Sequence, residues 1–321
     1  MTSARYAAVA DAVAGELEGV VAGAVVRGAP SADLVTSRVG GPIGVLVRAE
    51  ALGDLEAVAA AADRHGVPVA VIGRGSNLLV ADGGFDGIGV VLGGAFEAID
   101  VGETTVVAGG AVALPVLARR SAAAGRAGLE FYVGIPGSVG GAVRMNAGGH
   151  GRETADVLLR AWLFDLGGGG VVERAVADLG LRYRHSEVPA GSVVVRAELA
   201  VAPDDPGACE ARIDEVVRWR REHQPGGANA GSVFTNPPGD SAGRLIDSCG
   251  LKGLRVGGAE VSTKHANFIQ TGTAASAADV VRLIAEVRDR VAAATGVRLV
   301  PEVRLLGFDA GDPPNPDEEQ R

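Results

Sequence analysis

The sequence predicts a mixed α+β protein built in two parts, and three observations predict it. Helix-period runs alternate with short β-type runs along most of the chain. Two glycine-rich loops, at residues 73–78 and 134–149, interrupt apolar runs in its first half. Pro203-Asp204-Asp205-Pro206-Gly207 reads as the best linker between a first and a second unit. A chain of 321 residues is long enough for two or three full cores.

Residues 4–24 alternate Ala, Val and Leu with acids and read as an amphipathic helix, which Gly28-Ala29-Pro30 breaks. A strand is expected at 43–48, a helix over 51–65 ending at His65-Gly66, and a buried strand over 67–72 running into the first glycine loop. Short β-type runs follow at 88–92, 97–101 and 104–108, then a helix over 113–124. Further strands are expected at 157–164, 170–173 and 193–201, with a turn or short helix at 178–183. Beyond the linker come a charged helix at 208–222, a loop at 223–241, a helix at 242–249, short strands near 254–261 and 267–270, a helix at 276–295 and a strand at 297–306. Ser276 with Asp279 three residues on resembles a capping box at the start of the 276–295 helix. The tail at 309–321 carries three prolines and many acids and is expected to be disordered.

Composition narrows the function. The net charge of −9 makes a nucleic-acid or anionic-membrane partner unexpected. Cys209 and Cys249 have no metal-ligand spacing, so no metal is expected and a reduced, cytoplasmic setting is. The apolar opening is interrupted by Asp11, Glu16 and Glu18, so it reads as neither a signal peptide nor a membrane span.

The two loops carry the chemistry. In Gly134-Ile135-Pro136-Gly137-Ser138-Val139-Gly140-Gly141-Ala142-Val143-Arg144-Met145-Asn146-Ala147-Gly148-Gly149, glycine at 137, 140 and 141 permits positive φ and close approach of a ligand to the main chain, and Pro136 sets φ before the turn. Successive N–H groups there could cradle an anion, or open a helix toward a phosphate. Gly73-Arg74-Gly75-Ser76-Asn77-Leu78 has the first two glycines of a dinucleotide fingerprint and then Leu, and no phosphate-binding G-x-x-x-x-G-K-[ST] occurs. A phosphorylated cofactor held here would sit on a different fold.

These loops resemble a known family. Val71-Ile72-Gly73-Arg74-Gly75-Ser76-Asn77-Leu78-Leu79-Val80 resembles the "lGgGSNlLv" loop of FAD-binding domains of the vanillyl-alcohol-oxidase type, and residues 134–149 resemble the "GIPGsvGGAvymNAG" loop of the UDP-N-acetylenolpyruvoylglucosamine reductases. Tyr183-Arg184-His185-Ser186, Ala230-Gly231-Ser232-Val233-Phe234-Thr235-Asn236-Pro237 and Pro301-Glu302-Val303-Arg304 resemble that family's "YRxS", "aGSvFkNP" and "PEV". The likeness runs over nearly the whole chain apart from the first ~30 and last ~13 residues.

The resemblance implies a two-lobed FAD-binding domain at 31–203, a substrate-binding α/β domain at 207–308 and an N-terminal helical segment at 1–30. It implies noncovalent FAD, NADPH as hydride donor, and reduction of UDP-N-acetylglucosamine enolpyruvate to UDP-N-acetylmuramate by a cytoplasmic monomer. It places Arg184, Ser232 and Glu302 in catalysis, with Tyr183, Asn236 and His223 toward the substrate. FAD would be held by Gly73, Arg74, Gly75, Ser76, Asn77, Leu78, Ile135, Pro136, Gly137, Ser138, Gly140, Gly141 and Asn146. The residue types suit the chemistry. A guanidinium is always charged and can grip a carboxylate on which negative charge develops. An aimed hydroxyl can donate a proton, and a buried carboxylic acid can polarise the same group. Outside their motifs these three would read as a surface ion-pair partner, a turn residue and a solvated acid. His265, in a stretch resembling "iGgaeVSekHaNFi", reads as structural.

Three features depart from the family pattern: Arg144 and His150 stand where aromatics are common, and His223-Gln224-Pro225 stands in place of "KQP". A neutral His at 223 would weaken a contact to substrate phosphate. About 48 residues separate Arg184 from Ser232, the spacing of the shorter, type II reductases. One alternative is another flavin-dependent oxidoreductase of the same fold acting on alcohols or sugars, which would lack the three later motifs. The other is a noncatalytic nucleotide-binding protein, which would be expected to lose one of the three catalytic residues.

Overall fold

A computed structural model describes residues 3–308, so the expected tail at 309–321 lies outside the described residues. The chain divides into two compact units: Met1–Ala29 with Gly44–Arg74 and Asp86–Arg220, and Pro30–Ile43 with Gly75–Phe85 and Arg221–Arg321. Both units are discontinuous in sequence, where the sequence suggests contiguous limits.

The first unit holds two sheets. One runs Val25–Pro30, Pro42–Ala49, Phe85–Leu92, Val69–Val71, with the last two strands parallel. Helices α1 (Ser3–Leu17) and α2 (Leu52–His65) share a core with its valines, including Val45, Val47 and Val90. The expected 4–24 helix stops at Leu17, and Gly19 beyond it takes a left-handed φ of 78°. The start of α2 is fixed by buried Asp54, whose carboxylate accepts from the N–H groups of Ala22 (2.9 Å), Glu50 (2.6 Å) and Ala51 (3.2 Å). Gly66, with φ 62°, closes α2.

The other sheet is antiparallel, in the order Val171–Ala175, Leu158–Asp165, Ser192–Ala200, Thr105–Gly109, Ile99–Val101. Alternation along its central strand, with a register shift between Val194 and Arg196 that swaps the faces, serves two cores. Val193 and Val195 join the α1–α2 core, while Val194, Ala197 and Leu199 join a second core with α3 (Leu114–Ala123) and α4 (Val139–Met145). That is the expected pair of lobes, joined by one sheet.

The stretch at 203–207 is not a free linker. Ala202 and Pro203 pair with Ala127 and Arg126, and the Asp204 carboxylate accepts from Arg212 at 2.6 Å. Helix α5 (Pro206–His223) follows at once and buries Cys209, Ile213 and Val216 in the first unit's second core. Its apolar face had to be covered by something, and local turn chemistry does not say what.

The second unit holds a four-stranded antiparallel sheet, Asn229–Ser232, Phe268–Thr271, Ala259–Val261, Arg255–Val256, and a parallel pair, Arg304–Leu306 with Leu78–Val80. Helices α6 (Ala242–Ser248) and α7 (Ala277–Thr295) cover its core. The expected 297–306 strand shrinks to Arg304–Leu306, because Pro301 has no N–H for a ladder and makes only an isolated bridge to Phe234.

The capping box at Ser276 forms as expected. Backbone N–H groups of Gly258 and Ser276 donate to the Asp279 carboxylate, both at 3.1 Å, and hold its pKa at about 2. The folded value lies below the roughly 3.9 of an unfolded Asp, so this stabilisation is present above about pH 4 and lost as pH falls toward about 2. Asp279→Asn should therefore lower Tm at neutral pH and flatten the acid limb of a Tm-against-pH curve. An unchanged acid limb in the variant would contradict that assignment.

Candidate active site

The first unit contains a cavity of about 350 Å³, within the range of small-ligand clefts. Both glycine loops reach it: Gly73 and Arg74 from the first, Ser138, Gly140 and Gly141 from the second. The loops touch, since a Cβ on Gly73 would lie 3.0 Å from Ser138 Oγ. Ile135, Pro136 and Gly137 are not among its lining residues. Gly75, Ser76, Asn77 and Leu78 belong to the second unit, where Gly75 takes φ 61° and packs against the Leu34 carbonyl.

The central loop works differently from the sequence expectation. Gly137, Gly140 and Gly141 do not take positive φ. Ser138 caps α4, its Oγ accepting from Gly141 N at 3.3 Å. Val139 N donates to Val112 O and Gly140 N to Gly110 O, both at 2.9 Å, and Ile135 N donates to Tyr132 O at 3.1 Å. Those N–H groups therefore serve the fold. What glycine supplies at 140 is space: a Cβ would stand 3.1 Å from Gly110 O and 3.2 Å from Val194 O. Gly140→Val should purify without flavin while keeping its far-ultraviolet circular dichroism, because the added methyls press the cavity wall apart. A full flavin complement in that variant would put the cofactor elsewhere.

The lining fits FAD chemically. Val69, Val71, Ile72, Leu92, Ala111 and Val194 form an apolar wall for a ring system, and Arg48, Arg74 and Arg144 bring three guanidinium groups suited to a diphosphate. Arg48 also faces Glu50 (3.2 Å) and Glu97 (3.5 Å). Sequence reading missed Arg48 and Gly110. The signal was present in Gly109-Gly110, since a Cβ at 110 would fall 2.0 Å from the Val194 carbonyl.

Arg184 sits on a tight turn. Arg182 and His185 exchange backbone hydrogen bonds (3.0 and 2.9 Å), which makes Tyr183 and Arg184 the tip of a tight turn. Arg184 has φ 56°, a left-handed value that costs an L-residue roughly 1–2 kcal/mol. Arg38 takes the same φ of 56° and His150 one of 55°, so the left-handed backbone is shared with residues outside the catalytic set. Its Nη2 donates to Gly148 O at 3.0 Å, and its Cζ lies 5.2 Å from the Tyr183 ring centroid. Tyr183 is half exposed.

Ser232 and Glu302 lie side by side in the second unit. Glu302 N donates to Val233 O at 2.7 Å, and Phe234 bridges Pro301. Asn77 Nδ2 donates to Glu302 O at 3.0 Å, and Arg304 N donates to Asn77 O at 3.0 Å, so Asn77 ties this strand end to the first glycine loop. Gly231, at φ 71°, precedes Ser232, and a Cβ there would meet Ser76 O at 2.9 Å. Asn267 clamps the same strand, its amide accepting from Phe234 N (2.9 Å) and donating to Phe234 O (2.8 Å). Both Ser232 and Glu302 are half-buried.

Other expected residues take different places. Asn146 is fully buried and absent from the cavity lining, so it is not a cofactor contact there. Asn236 is exposed, and its Oδ1 accepts from Ala242 N at 3.0 Å at the start of α6. His223 is exposed in the last turn of α5. His265 Nδ1 accepts from Asn267 N at 3.2 Å and burial lowers its pKa, in keeping with a structural role. His150 packs edge-on against Trp219, 5.0 Å between centroids, in a second cleft that shares no lining residue with the cofactor cavity. Among the described residues no group of three or more His, Cys, Asp or Glu could hold a metal, and no helix is long and apolar enough to cross a membrane.

The two-lobed first unit has the fold of FAD-binding domains of the vanillyl-alcohol-oxidase type. Residues 43–174 match the FAD binding domain family, and residues 223–306 match the C-terminal domain of UDP-N-acetylenolpyruvoylglucosamine reductase. The chain is 44% identical over 272 residues to the UDP-N-acetylenolpyruvoylglucosamine reductase of Rubrobacter xylanophilus, covering 84% of this chain and 91% of that one. It is 46% identical over 273 residues to the reductase of the same name from Acidiphilium cryptum, covering 84% and 87%. The crystal structure of UDP-N-acetylenolpyruvylglucosamine reductase (MurB) from Thermus caldophilus matches with a TM-score of 0.77 at 37% identity, over 88% of this chain and 98% of that one. The chain belongs to the UDP-N-acetylenolpyruvoylglucosamine reductase family, and it is an oxidoreductase with FAD as its cofactor.

Proposed function

We propose that this chain reduces UDP-N-acetylglucosamine enolpyruvate to UDP-N-acetylmuramate, with NADPH as electron source, in peptidoglycan precursor synthesis. The observation that carries the reading is Arg184: a permanent positive charge at the tip of a turn closed by the Arg182–His185 hydrogen bonds, in a chain of this family. FAD, when bound, supplies the hydride that arrives at C3 of the enolpyruvyl group. That arrival pushes charge through C2 into the substrate carboxylate. The Arg184 guanidinium receives it, and its two parallel N–H groups also orient the carboxylate. The Ser232 hydroxyl delivers the proton to C2. Glu302, protonated, polarises the same carboxylate by donating a hydrogen bond. Tyr183, Asn236 and His223 contact the rest of the substrate, with His223 in place of a lysine.

FAD is held without a covalent tether by residues 73–78 and by Ile135, Pro136, Gly137, Ser138, Gly140 and Gly141, the last two through close approach and not N–H donation. Cofactor binding falls within 31–203. Substrate binding falls in the part proposed at 207–308, past the end of α5. The short spacing from Arg184 to Ser232 favours the type II form, acting as a cytoplasmic monomer.

The test is product mass. Holoenzyme with NADPH and the enolpyruvate substrate should yield a compound heavier by two hydrogens, and acid precipitation of the enzyme should leave all flavin in the supernatant. Unchanged substrate, with NADPH consumed only by oxygen, would favour a different flavin oxidoreductase.

A further inference from the structure

Asn146 has no part in the chemistry described above, yet it is among the most tightly held polar residues of the chain. It is fully buried, with 0% of its surface exposed, and it ends α4 in a left-handed conformation, φ 42°. Both ends of its amide are used. Nδ2 donates to Arg182 O at 2.9 Å, and Oδ1 accepts from Ala155 N at 2.9 Å. Arg182 is the first residue of the turn that carries Tyr183 and Arg184.

The neighbours of Asn146 grip the same turn. Ser186 Oγ donates to Arg144 O at 2.6 Å, Arg184 Nη2 donates to Gly148 O at 3.0 Å, and Arg144 Nη1 donates to Pro189 O at 3.2 Å. The segment from 144 to 148 therefore holds the turn at its start, its tip and its exit. The same helix lines the cofactor cavity, through Gly140 and Gly141 behind the Ser138 cap and through Arg144 near its end. Seven helical residues span roughly 10 Å, a short and stiff connection.

We propose that Asn146 is a positioning residue for the reduction: through its buried amide it docks the Arg184 turn on the end of α4, so that the guanidinium keeps a fixed place relative to the cofactor cavity. Asparagine suits the post because it tolerates the left-handed conformation and carries a donor and an acceptor on one short side chain. The inference rests on the reading of Arg184 as the group that receives the substrate's developing charge. A turn that is strained at its tip stays in that conformation only if its surroundings impose it, and Asn146 is the buried anchor.

The test is a double-mutant cycle on holoenzyme, with each half-reaction followed by flavin absorbance. Asn146→Gly keeps the left-handed backbone and deletes both hydrogen bonds. Asn146→Asp keeps the acceptor for Ala155 and turns a buried carboxylate oxygen on the Arg182 carbonyl in place of the donor, and serves if the glycine variant does not fold. Flavin reduction by NADPH should stay within about threefold of wild type. Reoxidation by the enolpyruvate substrate should slow about 10- to 100-fold, the scale of a displacement near 1 Å. In an Arg184→Gln background the same substitution should slow reoxidation by less than about twofold further, because the group it positions is already gone. Equal slowing in both backgrounds, or equal slowing of both half-reactions, would overturn the proposal. An Arg184→Gln enzyme that reoxidises at the wild-type rate would instead overturn the role of Arg184, leaving the two failures distinguishable.

Discussion

Ser232→Ala should leave reduction of the flavin by NADPH at its wild-type rate and slow reoxidation by the enolpyruvate substrate about 10²–10⁴-fold. The first half-reaction needs no proton from Ser232. In the second, on the proposed mechanism, hydride arrival leaves negative charge at C2 that the Ser232 hydroxyl would protonate. The strand that carries Ser232 is held by the Gly231 bend before it, by the Glu302–Val233 hydrogen bond beside it and by the Asn267 clamp on Phe234. Ser232→Cys should recover part of the rate, because a thiol also donates. Separate stopped-flow records of the two half-reactions decide the matter. Equal slowing of both would make Ser232 a holder of the loop or the flavin, and the proton would need another source.

Substitution of Arg184 should cost activity without costing stability. Losing one preorganised donor to a developing oxyanion typically lowers kcat about 10²–10³-fold, so Arg184→Gln should fall in that range. Arg184→Lys should recover only a fraction, since an ammonium keeps the charge and loses the bidentate geometry. Arg184→Gly isolates the strain. Glycine adopts φ 56° freely, which offsets the lost contacts to Gly148 and Tyr183, so its Tm should lie within a few degrees of wild type while reoxidation is as slow as in Arg184→Gln. A glycine variant that melts far below wild type would show that the arginine serves the fold first.

What could be read from the sequence was what local chemistry dictates. The two glycine loops stood out because backbone crowding excludes side chains there, and Gly75 in the first and Gly148 in the second bear that out physically, with a built Cβ 2.0 Å from Leu34 O and 2.6 Å from Arg152 O. The capping box at Ser276 and the C-cap at Gly66 were equally local. The positions of Arg184, Ser232 and Glu302 came from motif resemblance, because an arginine, a serine and a glutamate carry no signal of their own.

What could not be read depended on partners distant in sequence. Pro203-Asp204-Asp205-Pro206-Gly207 has the composition of a linker, yet Pro203 pairs with Arg126 and α5 buries Cys209 in the first unit. The φ values at Gly140 and Gly141 follow from α4 starting at Val139, which a glycine-rich stretch does not announce. Asn146 looked like a ligand contact because it sits in a ligand-binding motif. Its amide in fact reaches Arg182, 36 residues away, a pairing that no periodicity reports. Pro301 shortened the last strand by a rule that was available, since a ladder needs the N–H that proline lacks.

The measurement that bears most directly on the proposed function is an anaerobic absorbance titration of the purified protein. The expected result is a yellow protein whose flavin band bleaches with one equivalent of NADPH and returns in full with one equivalent of UDP-N-acetylglucosamine enolpyruvate. A flavin that bleaches with NADPH and stays bleached when that substrate is added, returning only with oxygen, would contradict it.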